Sequence, residues 1–297
     1  MVVAFSAWAA ISAHAQARNT KPVNPNENNA VIVFPAKGNI DVTNGTIEAV
    51  FCLAYSFGDQ FSSAGSSRKL FSLLSTHNAA GEQYNVGNPK KVGPGLGFSV
   101  HFSQYQSRDY VYLSSSLFER PRSNHDPVRY VSTAFSSKKA DTFLKAGTWH
   151  SMAATWRLTN GTHAVEFFID GKRVGRGTIP HRAALGTCAL ADDDLLVFGA
   201  PGQMYGSLQS VRISGRVRSA EEIAAAETSG LVKDDATLLL FDGAAVLKMK
   251  ANDIKQFTEN ASERKLRVPP EGVVFGKLKP TTGRNNAPAV QFREILR

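Results

Sequence analysis

The sequence predicts an all-β body, a sandwich or a barrel, over residues 30–243. Three observations carry this. About a dozen short runs of β-branched and aromatic residues are separated by clusters of Gly, Asn, Asp and Ser, the spacing of strands and turns and not of βαβ units. Within one of them Ile47, Ala49, Phe51, Leu53 and Tyr55 alternate with Glu48 on the other parity, as on a strand with one buried face. In FFIDGKRVG, Asp170-Gly171 parts the run AVEFFI from KRVG. Asp-Gly is a strong hairpin signal because a tight turn needs positive φ, which Gly adopts freely and Asp better than most residues. Asp170 therefore reads as a turn residue before it reads as a ligand or a catalytic carboxylate.

In chain order, residues 1–15 (MVVAFSAWAAISAHA) are uncharged, small or apolar, and end Ala13-His14-Ala15. This pattern suits a signal peptide with an A-x-A cleavage site, although the usual basic n-region is missing. The alternatives are an apolar N-terminus without structure, or a start codon assigned too late. Residues 16–29 (QARNTKPVNPNENN) are Asn- and Pro-rich and read as a linker. Strands are then expected at Ala30–Phe34, Gly45–Tyr55, Leu70–Ser75, Gly97–Phe102, Tyr110–Leu117, Arg129–Phe135, Trp149–Leu158, Ala164–Ile169, Lys172–Gly177, Leu195–Gly199, Gly206–Ile213 and Thr237–Phe241. One helix is expected near Ser219–Thr228: Ser219 and Glu222 form a capping-box pair, alanines follow, and Gly230 suits the stop.

The chain has 297 residues, 42% hydrophobic and 20% charged, enough to bury a real core. No apolar run approaches the roughly 20 residues of a membrane-spanning helix. Of 34 Lys/Arg and 25 Asp/Glu, eleven and five lie from Ala244 onward, so the extension 244–297 carries +6 of the net +9. The basicity belongs to that appendage, which holds few aromatics and no recognisable nucleic-acid module. It reads as a solvated tail. Its end, Asn285–Phe292, faintly echoes Asn28–Phe34, consistent with one extra strand or the start of a second module. Cys52 and Cys188 either pair in an oxidising compartment or stay as two buried thiols; their separation in the chain does not decide.

Several runs, taken in order, resemble the laminin-G-like branch of the concanavalin A-like lectin/glucanase superfamily. They are Gly45–Glu48, Leu70–Leu73, Gly147–His150 leading into Met152–Trp156, Phe168–Lys172, Phe198–Ala200, Gly206–Ser214, Arg216–Ile223 and Leu238–Asp242. The resemblance implies a two-sheet antiparallel jelly-roll sandwich with one short helix. It says little about the ligand, since lectins, adhesion modules and glycosidases share that fold. Glucanases of the superfamily carry acids at alternating positions of one strand, where two carboxyls roughly 5–5.5 Å apart do retaining chemistry. Here only Asp192 and Asp194 approach that spacing, with no third acid, and both precede a strand. The seven histidines show no metal-ligand spacing, and no phosphate-binding, dinucleotide or nucleophile-elbow motif is present. His150 beside Trp149 reads as packing.

The expectation is thus a secreted, periplasmic or cell-surface binding module without catalysis, recognising a glycan or a surface partner and no specific nucleic acid. The alternatives are a divergent glycoside hydrolase or lyase of the same fold, or a structural adhesion module. Binding residues are expected in 103–127, where Tyr105, Arg108, Tyr110 and Tyr112 form one cluster and Arg120, Arg122, Asn124, His125 and Asp126 follow on a loop. Many members of the superfamily hold a structural Ca²⁺ near the chain ends. Asp242 and the turn Gly38–Asp41 offer oxygens for one, far short of the six to eight that calcium takes.

Overall fold

The computed structural model describes residues 30–54, 68–77, 95–105, 108–118, 129–136, 144–145, 147–159, 162–180, 190, 192, 194–199, 206–258, 266 and 268–292. Every expected run of the body is a strand. They are β1 (Val31–Pro35), β2 (Asn44–Leu53), β3 (Arg68–His77), β4 (Gly95–Tyr105), β5 (Arg108–Phe118) and β6 (Arg129–Ser136), then β7 (Trp149–Thr159), β8 (Thr162–Ile169), β9 (Lys172–Pro180), β10 (Leu195–Phe198), β11 (Gly206–Ser214) and β12 (Thr237–Asp242). Helix α1 (Ala220–Ser229) lies between β11 and β12; the Ser219 hydroxyl and the Glu222 carboxylate cap one another's backbone amides, and Gly230 ends it at φ 81°.

The extension is structured, which corrects the solvated-tail reading. It forms α2 (Gly243–Val246), β13 (Ala251–Asn252), α3 (Lys255–Thr258), β14 (Val273–Phe275), β15 (Lys279–Thr282), a 3₁₀ turn (Arg284–Asn286) and β16 (Pro288–Gln291). These strands join both sheets. One sheet runs β13-β14-β1-β10-β3-β4-β5-β6, the other β15-β16-β11-β2-β7-β8-β9 with β12 also on β11. The pairings are antiparallel except β13 with β14. Along β11, β12 pairs with Ser210–Ser214 and β16 with Ser207 and Leu208, so the two share one edge of that strand. Of the two readings of the Asn285–Phe292 echo, the extra strand is the one found.

Alternation decides what lies between the sheets. Ile47, Ala49, Phe51 and Leu53 of β2 enter the main core with Trp156, Phe167 and Phe198, all at most 2% exposed. Phe241 stacks on Phe34 at 5.2 Å and meets Phe198 edge-on at 4.9 Å. Trp156 fits only because Gly45 lies over it: a Cβ there would come within 2.3 Å of the indole. Asp170 (φ 47°) and Gly171 (φ 71°) form the expected hairpin turn between β8 and β9. Cys52 is a free, buried thiol, pushed up in pKa by burial, and Cys188 lies outside the described residues.

On the outer face of the second sheet, Glu48 and Arg212 form a buried two-bonded ion pair at 2.7 and 2.8 Å. Beside it, Arg218 donates to both oxygens of Asp234 at 2.8 Å, and Arg216 pairs with Glu222 at the start of α1. The hydrogen bonds from Thr237 and then Arg218 hold the Asp234 carboxyl down at about 2. Arg216, then the Ser219 amide, does the same for Glu222, also about 2. Depressed folded values mean stability present above the ordinary carboxylate range and lost as pH falls toward 2. Both groups are more than a third exposed, so the effect is local and modest. Amide exchange in α1 and residues 232–237 is expected to accelerate between about pH 4 and pH 2, and Asp234→Asn should flatten that rise. An unchanged exchange profile in the variant would show that Asp234 does not fasten this corner.

Candidate functional site

The expected tyrosine cluster is brought together by strand register. The β4–β5 ladder sets Tyr105 opposite Arg108, Ser103 opposite Tyr110 and His101 opposite Tyr112. Opposed residues of an antiparallel ladder share a face, and so do residues two apart on one strand. Tyr105, Arg108, Tyr110 and Tyr112 therefore occupy one face of the first sheet. Neighbouring strands lie about 4.8 Å apart and i, i+2 positions about 7 Å apart, so these backbone positions form a compact patch.

The face follows from the register with β10. Leu196 belongs to the main core and pairs with Thr76; Leu74, two residues along β3, pairs with Phe98. Phe98, Val100 and Phe102 thus have the parity of the inter-sheet core, and the tyrosines have the opposite parity, on the sheet's outer face. At the far end of the same outer face the surface is apolar and covered. There Val31, Val33, Leu195 and Val197 pack with Val273, Phe275 and Phe257, which the extension supplies.

Register also adds residues that sequence reasoning missed. Lys69 pairs with His101, and Tyr130 with Ser116, so Lys69, His101 and Tyr130 share the face of the tyrosines. Contiguity along 103–127 could not find them, because Lys69 and Tyr130 sit on other strands. The register shifts at Lys69/Phe71 and Ser72/Leu74 make the parity of β3 unreadable without its partner. Arg120, Arg122, Asn124, His125 and Asp126 lie outside the described residues.

The two aspartates nearest to a catalytic spacing, Asp192 and Asp194, lie in unlike surroundings. Asp192 is exposed and pairs with Lys37, whereas Asp194 is buried at 2% exposure. Asp170 does more than turn the chain: its carboxylate accepts from His150 Nδ1 at 2.8 Å and from the Ser151 amide at 2.9 Å. Burial pushes its pKa up, but the His150 and Ser151 hydrogen bonds, with the charges of His150 and Arg284, outweigh this and leave it lowered. His150 is buried with its ring 6.3 Å from that of Phe51, so the pair clamps the turn onto β7. Arg284 closes the clamp from the extension, donating to Glu227 and to the Trp149 carbonyl at 3.1 Å.

Among the described residues the calcium candidates serve as a cap and a turn. Asp242 caps α2 by accepting from the Ala245 amide, and Asp41 accepts from the Thr43 amide and hydroxyl at 2.8 and 2.6 Å. Among the described residues no three of His, Cys, Asp or Glu come together to hold a metal.

Residues 114–224, from within β5 to within α1, match the Laminin_G_3 family model of the concanavalin A-like lectin/glucanases superfamily. Among solved structures, the chain is similar to a heptameric SAP-like pentraxin from Limulus polyphemus, at 11% identity over 73% of this chain and 88% of that one, TM-score 0.39. It is also similar to the CBM40 of the Ruminococcus gnavus IT-sialidase bound to α2,3-sialyllactose, at 14% identity over 62% and 83%, TM-score 0.36. A third is a legume lectin-like domain from Entamoeba histolytica, at 9% identity over 62% and 78%, TM-score 0.32. No curated protein sequence matches the chain. Among the described residues no helix is long and apolar enough to cross a membrane.

Proposed function

We propose that this laminin-G-like sandwich is a secreted binding module that performs no catalysis and takes carbohydrate on the outer face of β3–β6. The observation that carries the reading is the register that gathers Tyr105, Arg108, Tyr110 and Tyr112 onto one face. Aromatic rings offer flat apolar surface to the C–H face of a sugar while their hydroxyls bond its rim. The family match supports a binding fold, and the small, apolar residues 1–15 support export.

A glycan array probed with the full chain tests it, followed by calorimetry on the best ligand. Tyr110→Ala and Tyr112→Ala are each expected to weaken binding about tenfold or more, as central aromatic anchors do, with unchanged melting temperatures. Undiminished affinity in both variants places the site elsewhere. Turnover of any bound glycan would favour the hydrolase alternative.

A further inference from the structure

We infer that the ligand of this face is an acidic carbohydrate, bearing carboxylate or sulfate groups; the inference rests on the proposed binding face. Strands β3 to β6 contain one carboxylate, Asp109, and one side-chain amide, Gln104. The ladder pairs these two with each other, and so places both on the parity of the inter-sheet face. The outer face is left with tyrosines, serines, His77 and His101 as its neutral polar residues and with Lys69 and Arg108 as its cations.

That composition discriminates between sugars. A neutral sugar presents hydroxyl donors, which carboxylates and amide oxygens accept; this face has neither among its ladder positions. Lys and Arg only donate, and a guanidinium matches a planar or tetrahedral oxyanion with two parallel bonds. The spacing is also suited. Lys69 lies two strands from Tyr112, about 10 Å across the sheet, and Arg108 lies four residues along β5, about 13 Å away. The two cations therefore lie at opposite corners of the patch of Tyr105, Tyr110 and Tyr112, as acidic groups on successive sugar units would require. Two cations over four strands is sparse for nucleic acid, whose phosphates demand a continuous basic track.

The test must separate this face from the basic extension, which draws any polyanion. An array pairing neutral glycans with their carboxylated and sulfated counterparts is read at physiological salt, and dextran and dextran sulfate are titrated by calorimetry. The variants are Arg108→Gln, Lys69→Gln, Tyr110→Ala, and a control with Lys248, Lys250 and Lys277 all changed to Gln. Acidic members are expected to bind at least tenfold tighter than neutral ones. Arg108→Gln and Lys69→Gln should each lose about tenfold on acidic members only, and the control should change less than twofold. Equal binding of neutral and acidic partners, both lost in Tyr110→Ala, overturns the acidic ligand and leaves the face standing. Loss confined to the control variant overturns it too, as does a single-stranded oligonucleotide bound as tightly and lost in Arg108→Gln. No binding anywhere on the array overturns both readings.

Discussion

Removing residues 248–297 is expected to abolish cooperative folding of the whole sandwich. The deleted segment supplies Val273, Val274, Phe275, Val290, Phe292 and Phe257, each at most 4% exposed. At about 1.5–3 kcal/mol for each fully buried side chain of this size, their loss is on the order of 10 kcal/mol, as large as the stability of a typical domain. Two further effects add to this. Deleting β14 turns β1 into an unprotected sheet edge, an open template for association. The remaining body also loses the Arg284 contacts to Glu227 and Trp149 that hold the extension against α1 and β7. Near-ultraviolet circular dichroism and a thermal melt decide the matter. A truncated protein melting within a few degrees of the full chain would show that the extension is an accessory after all.

Apart from Arg284, the basic charge of the extension and its buried contribution to the fold are borne by different residues. Lys248, Lys250 and Lys277 are exposed, while the valines and phenylalanines between them are buried. This is why charge has to be removed by substitution and not by truncation. It also explains what was hard to read. In the body, β2 and β7 are long enough for alternation to show, and the Asp170-Gly171 turn and the Ser219 cap are local chemistry with local signatures. Strands β13 to β16 span two to four residues each, too few for a period, and a chain separation of some 240 residues divides β14 from its partner β1. Their place is set by pairing, which no window of sequence contains. The binding face divides in the same way. Tyr105 to Tyr112 could be grouped because one hairpin holds them, whereas Lys69 and Tyr130 join only once the register of β3 and β6 is known.

Glu48→Ala is expected to be the most damaging single substitution outside the hydrophobic core. Glu48 and Arg212 sit directly opposite one another on β2 and β11, each side chain 4% exposed. Removing the carboxylate leaves a buried guanidinium with the Val232 carbonyl at 2.8 Å as its remaining hydrogen-bond partner. Arg218, whose Nε lies 3.4 Å from Glu48, loses the same countercharge. Breaking such a pair from one side costs about 3–5 kcal/mol, because the surviving charge stays desolvated without compensation. For a domain of this size that corresponds to a fall of roughly 10 °C in melting temperature. The pair itself need not stabilise the fold, since burying two charges costs nearly as much as their attraction returns. Changing both partners, Glu48→Leu with Arg212→Met, is therefore expected to melt within a few degrees of the natural sequence, for Arg218 keeps Asp234 and Ser214. If the double variant melts as low as Glu48→Ala, the ion pair contributes more than charge balance, and its two-bonded geometry fixes the β2–β11 register beside the shift at Leu208/Ser210. If Glu48→Ala itself melts normally, water or another acid reaches Arg212, and the outer face beneath α1 is less closed than its burial implies.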